Sequence, residues 1–298
     1  MLICIYFLLH VIPQTKPDPL FTMVFKNPSN GNGQMPRDMC QLSLRESDGW
    51  FCEFDDDWKR RRRLHHMQDR RNRFNDGRHV FFQNNWEPTI PCAAEQRVGT
   101  MGDGGKWACD LHKLESNTST PLVYSIGSSG NFVFEEGIKE LLPNAEIHTF
   151  DRANYGCRAN LCTFHQAYVG DGKTPGGKSL NMIIDELGHR QRTIDILKVD
   201  IEGSEYAAFE AFLKHPSNTT AGSDGKDSDN KTPYIRQILV EIHLHSDAGD
   251  EPISRVHGLF ELLRLNNYAI FHKEPNLYNP NNVCEYGFIR LNPTFFKA

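Results

Sequence analysis

Several absences bound what this 298-residue chain can be. It has no apolar run of the roughly 20 residues that cross a bilayer as a helix. It has little excess of either charge: 33 Lys plus Arg stand against 38 Asp plus Glu, a net charge of −5. With a pI near 6.2, that balance excludes a generally basic nucleic-acid binder, so no nucleic-acid partner is expected. None of the eight cysteines forms a C-x-x-C pair, which excludes the usual structural zinc sites. The G-x-G-x-x-G dinucleotide fingerprint is missing, and there is no internal repeat. At 39% hydrophobic and 24% charged residues, the chain is lean for a globular protein.

What is present falls into zones. Leu2–Ile12 is apolar but for His10, the length of a signal-peptide core without a basic flank. Residues 1–12 are therefore expected to be a signal or anchor segment, through which any membrane association would run. Residues 13–96 are expected to form an N-terminal extension, irregular over 13–50 where Pro, Asn, Gly and Ser dominate. Between Phe51 and Phe74 neither Gly nor Pro occurs, and Asp55–Asp57 precedes Lys59–Arg63. This predicts a charged helix, either a solvated face with opposite charges in reach or a phosphate- or glycan-binding face.

From residue 97 to 298 short apolar runs alternate with helix-like segments. Strands are predicted at Leu122–Ile126, Glu146–Phe150, Gln166–Val169, Ile194–Val199, Ile235–His243, Tyr268–His272 and Gly287–Leu291. Helices are predicted at Phe132–Leu142, Leu180–Leu187, Ser204–Leu213 and Glu251–Leu265. The alternation implies an α/β domain with a mostly parallel sheet, and Ile194–Val199 reads as its central strand. Residues 216–233 are polar and read as a flexible insertion.

Four stretches carry chemistry. Gly127-Ser128-Ser129-Gly130 turns from a strand into a helix, where backbone can approach a ligand closely. Asp151, 24 residues past Gly127 at the end of the next strand, is placed to accept hydrogen bonds from a ribose, or to cap the helix that follows. Asp200, Glu202 and Glu205 follow the central strand at its ligand-binding end. In Glu241-Ile-His243-Leu-His245 the alternation of a strand puts the three polar residues on one face. They could bind a metal or leave His243 as a base, but a solvated strand end is the plainer reading, and no metal site is expected.

Glu146–Asp151, Ile196-Leu-Lys-Val-Asp-Ile-Glu-Gly-Ser-Glu205 and Leu239-Val-Glu-Ile-His243 resemble the FkbM-type S-adenosylmethionine-dependent methyltransferases. The fuller pattern is similar to the animal methyltransferase-like protein 24 group. That pattern adds Gly102–Asp110, Tyr124–Gly130, Phe134–Glu136, Lys273–Asn276 and Glu285–Phe288. The resemblance implies a three-layer, Rossmann-like class I methyltransferase fold: seven strands, mostly parallel, the last antiparallel. It implies S-adenosyl-L-methionine as cofactor, bound by Gly127, Ser128, Ser129, Gly130, Asp151 and Asp200. It implies transfer to a hydroxyl of a sugar or other small-molecule acceptor, with His243, Asp200 or Glu202 taking the proton. Ser125 stands where many members carry an acid. Two alternatives remain open: a methyltransferase-like module without activity, and a nicotinamide dehydrogenase.

The eight cysteines fit disulfides or reduced thiols equally. Three sequons, at Asn117, Asn218 and Asn230, lie in polar segments open to glycosylation. With the apolar start they give the expectation of a secreted glycoprotein or secretory-pathway protein, a cytoplasmic location being the alternative.

Overall fold

The computed structural model describes residues 37–73, 77–102, 104–115, 120–214, 233–246 and 249–297. The apolar start, the three sequons and nearly all of the 216–233 insertion lie outside the described residues.

Seven strands form the main sheet: Leu122–Ile126 (β1), Glu146–Asp151 (β2), Thr163–Gln166 (β3), Thr193–Val199 (β4), Tyr234–His243 (β5), Tyr268–Pro275 (β6) and Val283–Arg290 (β7). Their spatial order is β6-β7-β5-β4-β1-β2-β3. β3, β2, β1, β4 and β5 run parallel; β7 is antiparallel to both of its neighbours, β5 and β6. A parallel sheet with an antiparallel strand inserted beside the edge is the class I methyltransferase fold. The antiparallel β7 and the missing G-x-G-x-x-G together count against the dehydrogenase alternative.

β4 takes the centre because both its faces are apolar. Ile194, Leu197 and Val199 pack into one core layer and Ile196 into the other. β1 splits likewise, with Leu122, Tyr124 and Ile126 on one side and Val123 on the other. Helices Leu180–Glu186 (α3), Glu205–Leu213 (α4) and Ile253–Leu265 (α5) cover the first face through Ile183, Phe209 and Phe260. Helix Val133–Leu141 (α2) covers the second through Phe134 and Ile138. The third strand lies at Thr163–Gln166, ahead of the predicted Gln166–Val169. Tyr168–Val169 pairs instead with Gly177–Lys178. β3 is an edge strand exposed at both ends, so no apolar run marks it.

The segment before residue 97 is packed onto this sheet. The charged helix is Asp55–Asp69 (α1). Its Trp58 is fully buried, 5.7 Å from the Phe51 ring and 5.4 Å from the Phe295 ring, and donates from Nε1 to Glu46 Oε2 at 2.8 Å. Four residues of the basic run are paired: Lys59 with Asp56, Arg60 with Asp57, Arg61 with Glu53 and Arg62 with Glu46. Further along, Trp86 stacks on Phe260 of α5 at 4.9 Å. Three disulfides form, Cys40–Cys52, Cys92–Cys109 and Cys157–Cys162, with Cα separations of 5.1, 5.6 and 5.8 Å, inside the range a disulfide spans. Cys284 is a buried free thiol. No helix among the described residues is long and apolar enough to cross a membrane.

Candidate functional site

The site is assembled at the C-terminal ends of β1, β2, β4 and β5. Gly127 leaves β1 with φ +81°, and a Cβ there would meet the Asp200 carbonyl oxygen at 1.7 Å. Only glycine lets the β1 and β4 ends approach this closely. The following turn folds over Asp151. The amides of Ser128 and Ser129 donate to Asp151 Oδ2 at 2.9 and 2.8 Å, and Ala153 N donates to Oδ1 at 3.0 Å. Asp151 therefore organises the Gly127–Gly130 turn, and Oδ1, with one amide on it, keeps capacity for another donor. Lys198, on β4, donates to the Gly127 carbonyl and lies 4.0 Å from Asp200 Oδ2. The loop and the carboxylate cluster thus share one cation.

A feature that sequence reasoning missed organises the cluster. Hairpin strands Glu95–Val98 and Lys106–Cys109 lie beside β5, where the Gln237 amide clamps both backbone groups of Cys109 at 2.8 and 2.7 Å. This delivers Lys106, 1% exposed, to Asp200 Oδ2 at 3.1 Å and to Glu285 Oε1. Burial works against the Lys106 ammonium, but Asp200, Glu285 and Glu241 outweigh it and hold its proton more tightly than usual. Burial likewise works against the Asp200 carboxylate, but Lys106 and Lys198 keep it ionised far below the usual range. Lys106 lies within the Gly102–Asp110 run and Glu285 within Glu285–Phe288. Their meeting depends on the β7 insertion, which sets Glu285 opposite Glu241.

On the other side of Asp200 stands His243, the last residue of β5 and 4% exposed. Its Nδ1 is 2.6 Å from Glu205 Oε1. Its Nε2 is 3.2 Å from Glu202 Oε2 and 3.7 Å from Glu241 Oε2. Burial disfavours the imidazolium, yet Glu205, then Glu241 and Glu202, push its pKa up to about 9. Glu241, buried and facing the charges of Asp200 and Glu285, is pushed up to about 8. Asn276 donates to its Oε1 at 2.9 Å. Glu202 sits at φ +52°, a backbone strain tolerated here at the tip of the β4–α4 turn, with its side chain 83% exposed.

The structure brings Asp200, Glu202 and His243 together, with ligand atoms within 4.8 Å of one another. The cation already against Asp200 is the Lys106 ammonium. His245 does not join them. β5 ends at His243, and His245 pairs in a separate two-residue ribbon with Asp250, its exposed ring 2.8 Å from the Asp250 carboxylate. Strand alternation therefore holds for Glu241 and His243 only. Ser125 is fully buried with no partner for its hydroxyl among the described residues.

Comparison with known proteins gives one family match, a methyltransferase domain matched over residues 41–290. No curated protein sequence matches. Solved structures with a similar arrangement include a fibrillarin pre-rRNA processing protein of Methanococcus jannaschii, at 12% identity over 67% of this chain and 84% of that one, TM-score 0.38. A precorrin-6y C5,15-methyltransferase of Geobacter metallireducens aligns at 15% identity over 60% and 85%, TM-score 0.33. The Burkholderia thailandensis 1,6-didemethyltoxoflavin-N1-methyltransferase, solved with S-adenosylhomocysteine, aligns at 10% identity over 57% and 72%, TM-score 0.30.

Proposed function

The chain belongs to the methyltransferase-domain family, and on that premise we propose that it transfers a methyl group from S-adenosyl-L-methionine to a hydroxyl of a sugar or other small-molecule acceptor. The observation that carries this reading is Asp151, which gathers the Gly127–Gly130 turn on one oxygen and keeps capacity on the other. A carboxylate acceptor at the end of β2, beside a turn closed tightly by glycine, suits the ribose diol of the donor. The residues that would hold the donor are Gly127, Ser128, Ser129, Gly130, Asp151 and Asp200. When bound, it supplies an electrophilic methyl group on a sulfonium.

The chain's own work is positioning and proton transfer. Aligning acceptor and donor supplies a large part of the rate in displacements of this kind. A hydroxyl acceptor also loses its proton as the new bond forms. Asp200, held ionised by Lys106 and Lys198, is a weak base and serves as a fixed negative anchor. His243 and Glu241, pushed up to about 9 and about 8, hold their protons at neutral pH, and only their deprotonated fraction, which grows as pH rises, can take that proton. Glu202 stands exposed at the mouth, where it can accept a hydrogen bond from an acceptor hydroxyl. Within the methyltransferases we place the chain with the FkbM-type enzymes and the methyltransferase-like protein 24 group, on the Asp200–Glu205 stretch and its position after β4.

The alternative is a methyltransferase-like module without activity, favoured by the Ser128 and Ser129 amides already seated on Asp151. Transfer of labelled methyl from S-adenosylmethionine to a panel of sugars and hydroxylated metabolites tests the proposal. Labelled product that disappears in His243→Ala supports it. Donor binding without product on any acceptor favours the module.

We further propose residence in the secretory pathway, since disulfides persist in oxidising compartments and three cysteine pairs stand at bonding distance. Expression in animal cells followed by N-glycosidase treatment tests it. A mobility shift supports the assignment, and unglycosylated protein with free thiols overturns it.

A further inference from the structure

We infer that Glu146, His148 and His189 form a binding site for a zinc-type divalent cation, remote from the methyl-transfer site. Glu146 opens β2 and Asp151 closes it, so the two sites are separated by about 17 Å of strand. Glu146 and His148 are two apart on one strand and point to the same face. His189 reaches that face from the turn after α3.

Glu146 Oε1 lies 2.9 Å from His148 Nε2 and 3.4 Å from His189 Nε2. The three atoms fall within 4.8 Å of one another. An ion bound tetrahedrally at about 2.0–2.2 Å holds its ligands roughly 3.3–3.6 Å apart, so small side-chain adjustments suffice. The far nitrogen of each imidazole is engaged: His148 Nδ1 lies 2.9 Å from His165 Nε2, and His189 Nδ1 lies 2.8 Å from the Tyr124 hydroxyl. Metal-bound histidines are held in this way, the second ring nitrogen fixed by an outer partner. In the tautomers that donate from Nδ1, two imidazole lone pairs and a carboxylate oxygen converge on one point, and a cation satisfies all three.

Arg192 is the positive group at this position. Its Nη1 donates to Glu146 Oε2 at 2.7 Å and sits 3.3 Å from His189 Nε2. The bond to Oε2 leaves Oε1 turned to the imidazoles. An entering ion replaces the hydrogen bond between His148 Nε2 and Glu146 Oε1 and displaces Arg192 from His189. His148 and His189 are each 7% exposed, while the Glu146 side chain is 36% exposed, which opens a path from solvent and a fourth position for water. Two imidazoles and one carboxylate select a zinc-type ion over magnesium or calcium, which prefer all-oxygen sites.

The test is titration of Zn²⁺ alone into the metal-stripped full chain at neutral pH, followed by calorimetry, with Co²⁺ absorption reporting coordination. One equivalent bound, with a four-coordinate cobalt spectrum, is the expected result. Glu146→Gln and His189→Gln are expected to weaken binding by about 100-fold or more, and Tyr124→Phe by roughly 10- to 100-fold. His243→Gln is expected to leave it unchanged. Circular dichroism without metal checks that each variant folds. Glu146→Gln, at a partly exposed position, carries the test where a buried substitution does not fold. Absence of stoichiometric binding to the wild-type chain, full binding by folded Glu146→Gln, or loss of binding in His243→Gln would overturn the assignment.

Discussion

His243 at the end of β5 and Glu205 in the first turn of α4 share a 2.6 Å hydrogen bond between Nδ1 and Oε1, both side chains buried. The bond fixes the imidazole so that Nε2 faces Glu202 and Glu241. His243→Ala is expected to lower turnover by roughly 10²–10⁴ with little change in donor affinity. Glu205 acts through His243 as a positioning residue. Glu205→Gln removes its charge and is expected to move the pH–rate profile to lower pH. Steady-state kinetics across pH measures both, and an unmoved profile in Glu205→Gln would contradict the pairing.

Stability should depend on pH through the same cluster. His243 is raised from 6.5 to about 9, and Glu241 from 4.5 to about 8. Each binds its proton more tightly folded than unfolded, so its contribution is complete below the unfolded value and lost as pH rises through the folded one. The combined loss is steepest between pH 6.5 and 8 and ends near 9. The melting temperature is expected to fall over that window, and Glu241→Gln is expected to flatten the fall. An equal slope in the variant would contradict the assignment for Glu241.

Lys106 joins the hairpin to the sheet by charge. Lys106→Met leaves Asp200 and Glu285 facing each other with only the more distant Lys198, 4.0 Å from Asp200, as a cation. Removing one partner from a buried pair costs about 3–5 kcal/mol. Chemical denaturation is expected to show a loss of that size, and a variant as stable as wild type would mean the pair is not buried as described.

Cys92–Cys109 spans 17 residues and ties the segment after α1 to the hairpin strand that ends beside Gln237. A cross-link closing a loop of this size stabilises by about 3 kcal/mol. Cys92→Ser/Cys109→Ser is expected to melt several degrees lower than wild type under oxidising conditions, and identical melting would contradict the bond.

How much of this was legible in the sequence depended on burial. β4 announced itself because an apolar run buried on both faces needs no partner to be recognised. Gly127, Asp151, Asp200 and His243 were legible because each sits at a strand end, a position that strand limits define. β3 was not, because Thr163–Gln166 is an exposed edge strand held by backbone pairing to β2. His245 was misplaced because alternation predicts a side only while the strand continues. Lys106 and Glu285 lie in runs whose local pattern does not reveal their role, since their contact requires the hairpin to dock on β5 and β7 to enter beside it. The Glu146–His148–His189 group is not legible in the sequence because His189 lies 41 positions from His148 and only the packing of α3 joins them.

The most direct measurement is calorimetric titration of S-adenosyl-L-methionine into the purified full chain and into Asp151→Ala. The account predicts one donor bound per chain, with affinity reduced roughly 10- to 100-fold in the variant, as expected when hydrogen bonds to a charged group are lost. No binding to the wild-type chain, or equal affinity in both, would contradict it.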